Sequence, residues 1–283
     1  MKLLITALCI VFFSISPVKS QRAGLGLKNF EALYKATYEM SFQPDSNDAQ
    51  RRVTGIIWTL FANNEYSFIV NNEWYKRDSI VSATAAMGEA FALANIGTLM
   101  ATAPQPRATH RIFIDRPKRR ITFINTIHIN DYAYIDPLDI IRWKIEPETR
   151  LIGNLQTQKA RGSFAGRDYI AWFTRQIPLP LGPYKFNGLP GLIVEIEDTR
   201  QHYRWVLIDF KPARQHVRVL PADPIEATTW QEFRHKQRTF QNDPVPFFEA
   251  TGVVINEENR RIMRENIREQ NRRRNNAIEL RRD

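Results

Sequence analysis

Residues 192–210 read LIVEIEDTRQHYRWVLIDF, and this stretch decides the class of fold. Two apolar runs flank the polar tetrapeptide DTRQ, whose residue types favour a tight turn. In the second run Tyr203, Trp205 and Leu207 occupy alternate positions, so they share one face of a strand. The stretch therefore predicts an antiparallel hairpin with one face in the core.

The same pattern of apolar runs and polar turns recurs through most of the chain. Strands are predicted at 30–42, 56–61, 66–70, 110–114, 121–127, 132–135, 141–145, 151–164 and 169–174, with turns at 62–65, 115–118, 146–149 and 165–168. Many short strands joined by tight turns are typical of an antiparallel sheet. With the helices described next, they predict an α+β protein whose sheet is mostly antiparallel and curls into a half-barrel.

Three helices are predicted between and after these strands. The first, at 83–100, carries Met87, Phe91 and Ile96 and a single charged residue, Glu89. A helix that is apolar on every side requires cover on every side, so we expect it to pack on the sheet and to line an apolar pocket. A second helix is predicted at 224–238 and a third, basic one at 257–274.

The first twenty residues have the pattern of a secretory signal peptide. Lys2 precedes an apolar run at 3–13, and Val18-Lys19-Ser20 supplies the cleavage pattern before Gln21. The run is too short to span a membrane. The sequence thus predicts an exported protein of the periplasm or cell surface that is not membrane-spanning, with one β-rich domain at 21–250 and a basic helical tail at 251–283.

Composition narrows the function classes. The chain has 283 residues, of which 43% are hydrophobic and 25% charged, which excludes a disordered or fibrous protein. Cys9 is the single cysteine, so an intramolecular disulfide and a cysteine zinc site are excluded. The net charge is +10. For an exported chain we expect no nucleic-acid partner. The positive charge is explained either by attraction to an anionic envelope surface or by a contribution to solubility alone.

No catalytic or cofactor motif is present in the sequence. It lacks a nucleophile elbow, a P-loop and a zinc-protease motif. His202 and His216 could approach Glu195 and Glu197 across a hairpin, but alternating acids are more typical of a solvated strand face. We therefore predict no metal, no cofactor and no catalytic residue.

Residues 143–198 carry a recognisable order of short motifs. They include Gln158-Lys159-Ala160, Ala171-Trp172, Gly182-Pro183 and the hexapeptide Gly188-Leu189-Pro190-Gly191-Leu192-Ile193. This order resembles the GLPGLI family of exported Bacteroidota proteins, and the ending Asn276-Ala277-Ile278-Glu279-Leu280 resembles the Asn-Pro-Ile-Glu-Leu ending of that family. Thr157 stands where members often carry a cysteine.

The resemblance implies an exported protein with no assigned reaction. It also implies a partner among the TonB-dependent outer-membrane receptors, beside which many members are encoded. The strand-rich layout is similar to that of the half-barrel carriers of the bacterial envelope, a comparison at the level of fold.

The hexapeptide has a structural and a functional interpretation. Gly188 and Gly191 tolerate backbone conformations closed to other residues, and Pro190 holds Leu189 extended, so together they form a rigid corner before a buried strand. In the alternative, this corner forms a binding rim with the neighbouring polar and aromatic residues, which are Arg167, Trp172, Tyr184 and Lys185.

These observations lead to a functional hypothesis with open alternatives. We predict a non-catalytic envelope accessory that binds an apolar small molecule, such as a lipid, or a protein partner. One alternative is a periplasmic hydrolase that uses carboxylates. Another is a structural or assembly factor that acts through its tail.

Overall fold

One sheet of twelve strands forms the body of the molecule. The computed structural model describes residues 24–104, 106–220 and 224–280. The strands are β1 (Phe30–Phe42), β2 (Val53–Ala62), β3 (Tyr66–Asn71), β4 (Arg111–Asp115), β5 (Arg120–Ile127), β6 (Asn130–Pro137), β7 (Lys144–Ile152), β8 (Leu155–Phe164), β9 (Arg167–Thr174), β10 (Leu192–Asp198), β11 (Tyr203–Val217) and β12 (Ile225–Ala227).

The sheet is open and almost entirely antiparallel. Its strand order is β12-β6-β5-β4-β3-β2-β1-β11-β10-β9-β8-β7. The pairing of β12 with β6 is parallel, and the other neighbouring strands run antiparallel. The expectation of a mostly antiparallel α+β fold is thus confirmed, and the sheet is not closed into a barrel. The long pairing of β1 with β11 joins the two halves of the chain at the centre of the sheet.

Tight turns connect most neighbouring strands. Between β8 and β9 the turn residues Ala165 and Gly166 both have positive φ, 49° and 81°. Two central residues of positive φ define the turn whose twist matches that of a hairpin. The predicted hairpins around 62–65, 115–118, 165–168 and 198–201 are all present, because each needs only local turn chemistry.

The predicted turn at 146–149 is wrong. These residues lie inside β7, and the pairing of β7 with β8 shifts register between Ile145 and Thr149. Because β7 is the edge strand of the sheet, Pro147 removes no ladder hydrogen bond that a neighbour requires. The real turn is at Gly153, where φ is +59°, and it divides the strand predicted at 151–164.

Five α-helices accompany the sheet in the described residues. They are α1 (Asn72–Ala86), α2 (Glu89–Thr102), α3 (Trp230–Asn242), α4 (Val245–Glu249) and α5 (Glu257–Arg272). The tail helix predicted at 257–274 corresponds to α5. The helix predicted at 224–238 begins later, at Trp230, where Thr229 and Glu232 form a capping box.

The apolar helix predicted at 83–100 is corrected in both extent and burial. Gly88, with φ of +109°, separates α1 from α2, so the region forms a helical hairpin. Phe91 on α2 is 47% exposed and Met87 is 66% exposed. The helix α2 packs mainly on α1 and not on the sheet. The apolar composition of this helix indicates that its surface must be buried against something, but it does not indicate which element buries it.

The two faces of the sheet carry different layers. On one face, Leu25, Leu27 and Phe30 pack with Phe113 and with rings from α1. The opposite face carries the larger cluster, which includes Tyr38, Trp58 and Trp205. Three elements cover that larger cluster: residues 175–191, named here the signature loop; α3, through Phe233; and residues 275–280, named here the C-terminal segment. This second face holds the candidate site.

Among the described residues, no helix has the length and apolar composition needed to cross a membrane. The predicted signal peptide at 1–20 lies outside the described residues.

Candidate functional site

The signature loop ends in a corner that packs tightly against β9. A Cβ at Gly191 would overlap the carbonyl oxygen of Thr174. Leu189 is buried, whereas Gly188 and Pro190 are exposed at the apex of the corner. Trp143 donates a hydrogen bond of 2.8 Å from its indole N–H to the carbonyl of Asn187. The corner therefore has the close packing that its structural interpretation requires.

Lys185 is fully buried at the centre of this face. Its Nζ lies 2.6 Å from Oε1 of Glu279, 2.8 Å from Oδ2 of Asp136 and 2.9 Å from the hydroxyl of Tyr134. The Phe123 ring centroid is 4.6 Å from the same ammonium. A charge withdrawn from water requires such partners, because its desolvation is otherwise uncompensated. Two acidic residues thus converge here, as the hydrolase alternative requires, but both are bound to the ammonium of Lys185.

Arg167, the first residue of β9, binds the C-terminal segment through a second set of hydrogen bonds. Its Nη2 donates to the carbonyl of Ala277 at 2.6 Å and also to the side-chain oxygen of Asn276. Its Nε donates to the carbonyl of Ile278 at 3.1 Å, and its Nη1 lies 3.0 Å from Asp198. All three guanidinium nitrogens are therefore used, a pattern that needs the planar fork of arginine.

The C-terminal segment is held at further points along its length. Its Leu280 N–H donates to the carbonyl of Ala165 at 2.9 Å, and its Asn276 N–H donates to that of Pro44 at 3.1 Å. The Glu279 carboxylate accepts hydrogen bonds from Tyr184 at 2.7 Å and Trp230 at 3.1 Å. The side chains of Asn276 and Glu279 are buried, so this ending of the chain is an integral part of the folded body.

A cavity of about 270 Å³ lies beside the C-terminal segment, and we name it the aromatic cavity. Its lining is mainly apolar and includes Met40, Ile56, Trp58, Ala108, Trp205 and Ile278. His110 stacks within it, with its ring centroid 4.5 Å from that of Trp58 and 5.5 Å from that of Phe123. Such a lining with few polar groups is typical of a small-molecule site.

The charge state of His110 follows from its surroundings. Burial, together with the positive charge of Lys185, lowers the pKa of His110 to about 3. The imidazole is therefore neutral at pH 7 and contributes a flat, uncharged surface to the aromatic cavity.

A second cavity of about 810 Å³ adjoins the first, and we name it the arginine cavity. It lies between the sheet, α3 and the C-terminal segment. Both cavities share six lining residues, so they form one continuous groove; the six are Phe42, Arg107, His110, Asn125, Tyr184 and Ile278.

The structure divides the predicted rim residues into separate places. Arg167, Tyr184 and Lys185 come together on the C-terminal segment, and Tyr184 also lines both cavities. Trp172 lies elsewhere, under the guanidinium of Arg150 at 4.0 Å from the ring centroid, while its neighbour Phe173 is buried in the core.

The predicted pocket helix does not contribute to the groove. Met87 and Phe91 line neither cavity. The side chain of Ile96 lies outside the described part of the chain. The groove is instead built by strands, loops and α3, which are widely separated in the sequence.

The acidic and histidine residues considered for a metal are separated in the fold. Glu195 pairs with Arg150 at 3.1 Å and Arg204 at 3.3 Å. His202 contacts Arg167, and His216 contacts Glu31 at the opposite end of β11, about 45 Å of strand away. Among the described residues, no group of three or more histidine, cysteine or acidic side chains is arranged to hold a metal ion.

Sequence reasoning missed His110 and the arginines of α3 as groove residues. Arg234 and Arg238 stand four positions apart, which places them on the same side of a helix, and this spacing was the available signal. His110 precedes a buried strand and carries no local motif.

Comparison with known proteins places the fold but not the activity. Residues 165–195 match a family described as "Protein of unknown function (Porph_ging)". Structures of PNGF-II in the P21 and C2 space groups are similar, with TM-scores of 0.53 and 0.51 and 12% identity over 74% of this chain. The similar region spans 34% and 33% of those chains. No curated protein sequence matches this chain.

At 12% identity the similarity to PNGF-II shows the fold alone. The matched family segment contains all of β9, which carries Arg167, and the whole signature loop, which carries Lys185.

Proposed function

We propose that this protein is a non-catalytic binding protein of the cell envelope, whose ligand is an apolar small molecule held in the groove. The observation that carries the proposal is the aromatic cavity of about 270 Å³, bordered by Trp58, Trp205 and the neutral ring of His110. Ligand pockets are mainly apolar concavities with a few polar groups that set orientation.

The surroundings of the aromatic cavity support binding rather than catalysis. The converging carboxylates of Asp136 and Glu279 are both held by Lys185. They therefore serve to fix the C-terminal segment, whose Ile278 forms one wall of the cavity. A wall held by buried charge pairs keeps the cavity shaped before a ligand arrives, which lowers the entropy cost of binding.

Export is part of the proposal. The pattern at 1–20 directs the chain to the envelope, and cleavage before Gln21 leaves a mature protein without cysteine. N-terminal sequencing of protein from the envelope fraction should start at or within a few residues of Gln21. Material that still begins with Met1 would contradict export.

Uptake of N-phenyl-1-naphthylamine, an uncharged fluorescent probe, tests the binding function. We expect the purified protein to bind it with a stoichiometry of one. Ala108→Trp should abolish uptake by filling the aromatic cavity, and Ile278→Asp should abolish it by placing a carboxylate in the cavity wall.

Leu151→Asp is the matched control, since Leu151 is 67% exposed on β7 and lines neither cavity. It should leave uptake unchanged. Circular dichroism establishes that each variant is folded. Absence of uptake by the wild type, or unchanged uptake by a folded Ala108→Trp variant, would overturn the proposed function.

A further inference from the structure

Four arginines surround the arginine cavity without an acidic partner. Arg107, Arg234, Arg238 and Arg274 line it, and none of them pairs with a carboxylate among the described residues. On the neighbouring helix α5, Arg264 pairs with Asp243 and Arg261 pairs with two glutamates. The arginine cavity instead brings together four guanidinium groups for which the described residues supply no carboxylate partner.

Arg234 is the half-buried member of this cluster, and the other three arginines are exposed. Its Nε is inaccessible to solvent and has no hydrogen-bond partner in the described part of the chain, while its Nη1 donates to Gln237 at 2.8 Å. A guanidinium group whose donors are not all used by the protein can donate to an anionic group that enters the cavity.

The acidic residue on the lining does not neutralise these arginines. Glu279 lines the arginine cavity, but its carboxylate accepts from Lys185, Tyr184 and Trp230. The cavity thus retains an excess of positive charge. A cleft with low-dielectric walls concentrates the field of such charges and raises the local concentration of anions.

The arrangement of the guanidinium groups suits a single anionic group. Arg234 and Arg238 lie one helical turn apart on α3, so their side chains leave the helix on the same side. Arg274 faces them from the chain just before the C-terminal segment, and Arg107 is shared with the aromatic cavity. Planar guanidinium forks match the oxygens of carboxylate, sulfonate and phosphate groups.

The two cavities together define the shape of the ligand. Because Arg107 and His110 line both, a molecule can place an apolar part between the rings and an attached anionic group among the arginines. We propose that the ligand is an amphipathic anion, with a carboxylate, sulfonate or phosphate group joined to an apolar body. This inference rests on the proposed function and names the class of ligand for the same groove.

A matched pair of probes tests it. N-phenyl-1-naphthylamine is uncharged, and 1-anilinonaphthalene-8-sulfonate has the same ring system with one sulfonate added. We expect the wild type to bind the sulfonate at least tenfold more tightly. This preference should shrink as the salt concentration rises, because the attraction is between charges.

The double variant Arg234→Gln/Arg238→Gln should remove most of this preference and leave the affinity for the uncharged probe within about twofold of wild type. The control is Arg142→Gln/Arg214→Gln, which removes the same charge from two exposed arginines outside both cavities. It should keep the preference.

The outcomes separate this inference from the proposed function. If neither probe binds, the proposed function fails. If the uncharged probe binds but the preference is absent, or survives in the Arg234→Gln/Arg238→Gln variant, then the anionic part fails alone. Inorganic phosphate, added as a competitor, distinguishes the sources of the anion: weak displacement at millimolar concentration supports an amphipathic ligand, whereas micromolar displacement would identify a small free anion and overturn it.

Discussion

The ammonium of Lys185 lies 2.6 Å from the carboxylate of Glu279, a residue 94 positions later in the chain. Both side chains are buried, and the contact joins the signature loop to the C-terminal segment. Arg167 of β9 binds the same segment through its guanidinium group, so β9 and the signature loop together hold the C-terminal segment in place. The two most distinctive motifs of the sequence therefore meet in one place.

Replacing Lys185 with methionine should destabilise the protein strongly. The change removes the ammonium that pairs with the buried carboxylates of Asp136 and Glu279, and removing one member of a buried pair costs about 3–5 kcal/mol. Urea denaturation followed by circular dichroism measures the free energy of unfolding. Lys211→Met is the control, because its pair with Asp209 is exposed and should change stability by at most about 0.5 kcal/mol. A loss below about 1 kcal/mol for Lys185→Met would contradict the role assigned to this contact.

Replacing Arg167 with lysine should loosen the C-terminal segment selectively. Lysine keeps the charge beside Asp198 but cannot donate at once to Asn276, Ala277 and Ile278. We expect hydrogen exchange of the Leu280 amide, which is bonded to Ala165, to accelerate at least tenfold.

The control for this variant is Arg175→Lys, an exposed arginine that makes one long hydrogen bond of 3.5 Å to Gln158. Exchange in β4, an interior strand on the other side of the sheet from β9, should be unchanged in both variants. Equal acceleration throughout the sheet would mean that Arg167 supports global stability rather than the docking of the segment.

Replacing Gly191 with alanine should destabilise the corner. The added Cβ would overlap the carbonyl oxygen of Thr174, which belongs to the neighbouring strand and cannot move freely. We expect a loss of about 1–3 kcal/mol, seen as a lower melting temperature. Gly97→Ala is the matched control, since it lies in α2 with open space around its Cβ position and alanine favours a helix. A melting temperature for Gly191→Ala equal to that of wild type would show that the close approach is not needed.

His110 should make stability depend on pH between about 7 and 3. The folded protein keeps His110 neutral, because burial lowers the pKa to about 3, whereas the unfolded chain protonates near 6.5. The unfolded state binds the extra proton in this range, so stability falls as the pH falls. From pH 7 to 5 complete burial gives a loss of about 2 kcal/mol, and we expect about 1 kcal/mol because one edge of the ring lines the cavity.

The measurement is the difference between wild type and His110→Phe, a ring that stacks but does not titrate. His128 and His202 also have lowered pKa values through burial, and they contribute equally to both proteins. The variant should lose less stability on acidification than wild type. Parallel pH profiles of the two proteins would mean that His110 is protonated in the folded state.

Much of the sheet could be predicted because its signal is local. The run at 203–210 alternates with the period of a strand, and Trp205 and Tyr203 are buried where the alternation places them. Turn residues such as Asp198 and Gly166 end the strands through their own backbone preferences. The predicted turn at 146–149 is wrong because Pro147 is tolerated in an edge strand. Whether a strand lies at the edge depends on its neighbours in the sheet and cannot be read from the segment itself.

The candidate site was less accessible to prediction. The motif at 188–193 was visible, and so was its geometric role, because glycine and proline act on their own backbone. The hydrophobicity of 83–100 indicates only that the helix requires cover, and Met87 and Phe91 line neither cavity. The groove was assembled instead from α3, the loop before β4 and the C-terminal segment.

The sequence by itself determined the strand-rich class, the hairpins, the tail helix and the presence of a rigid corner at Gly188-Leu189-Pro190-Gly191. Each depends on interactions among residues a few positions apart. Only the tertiary structure decided that Glu279 meets Lys185, that Ile278 closes a cavity and that four arginines share another. The physical reason is that these contacts join residues far apart in the sequence, such as Lys185 and Glu279, which are 94 positions apart. Local periodicity and backbone preference carry no information about such distant partners.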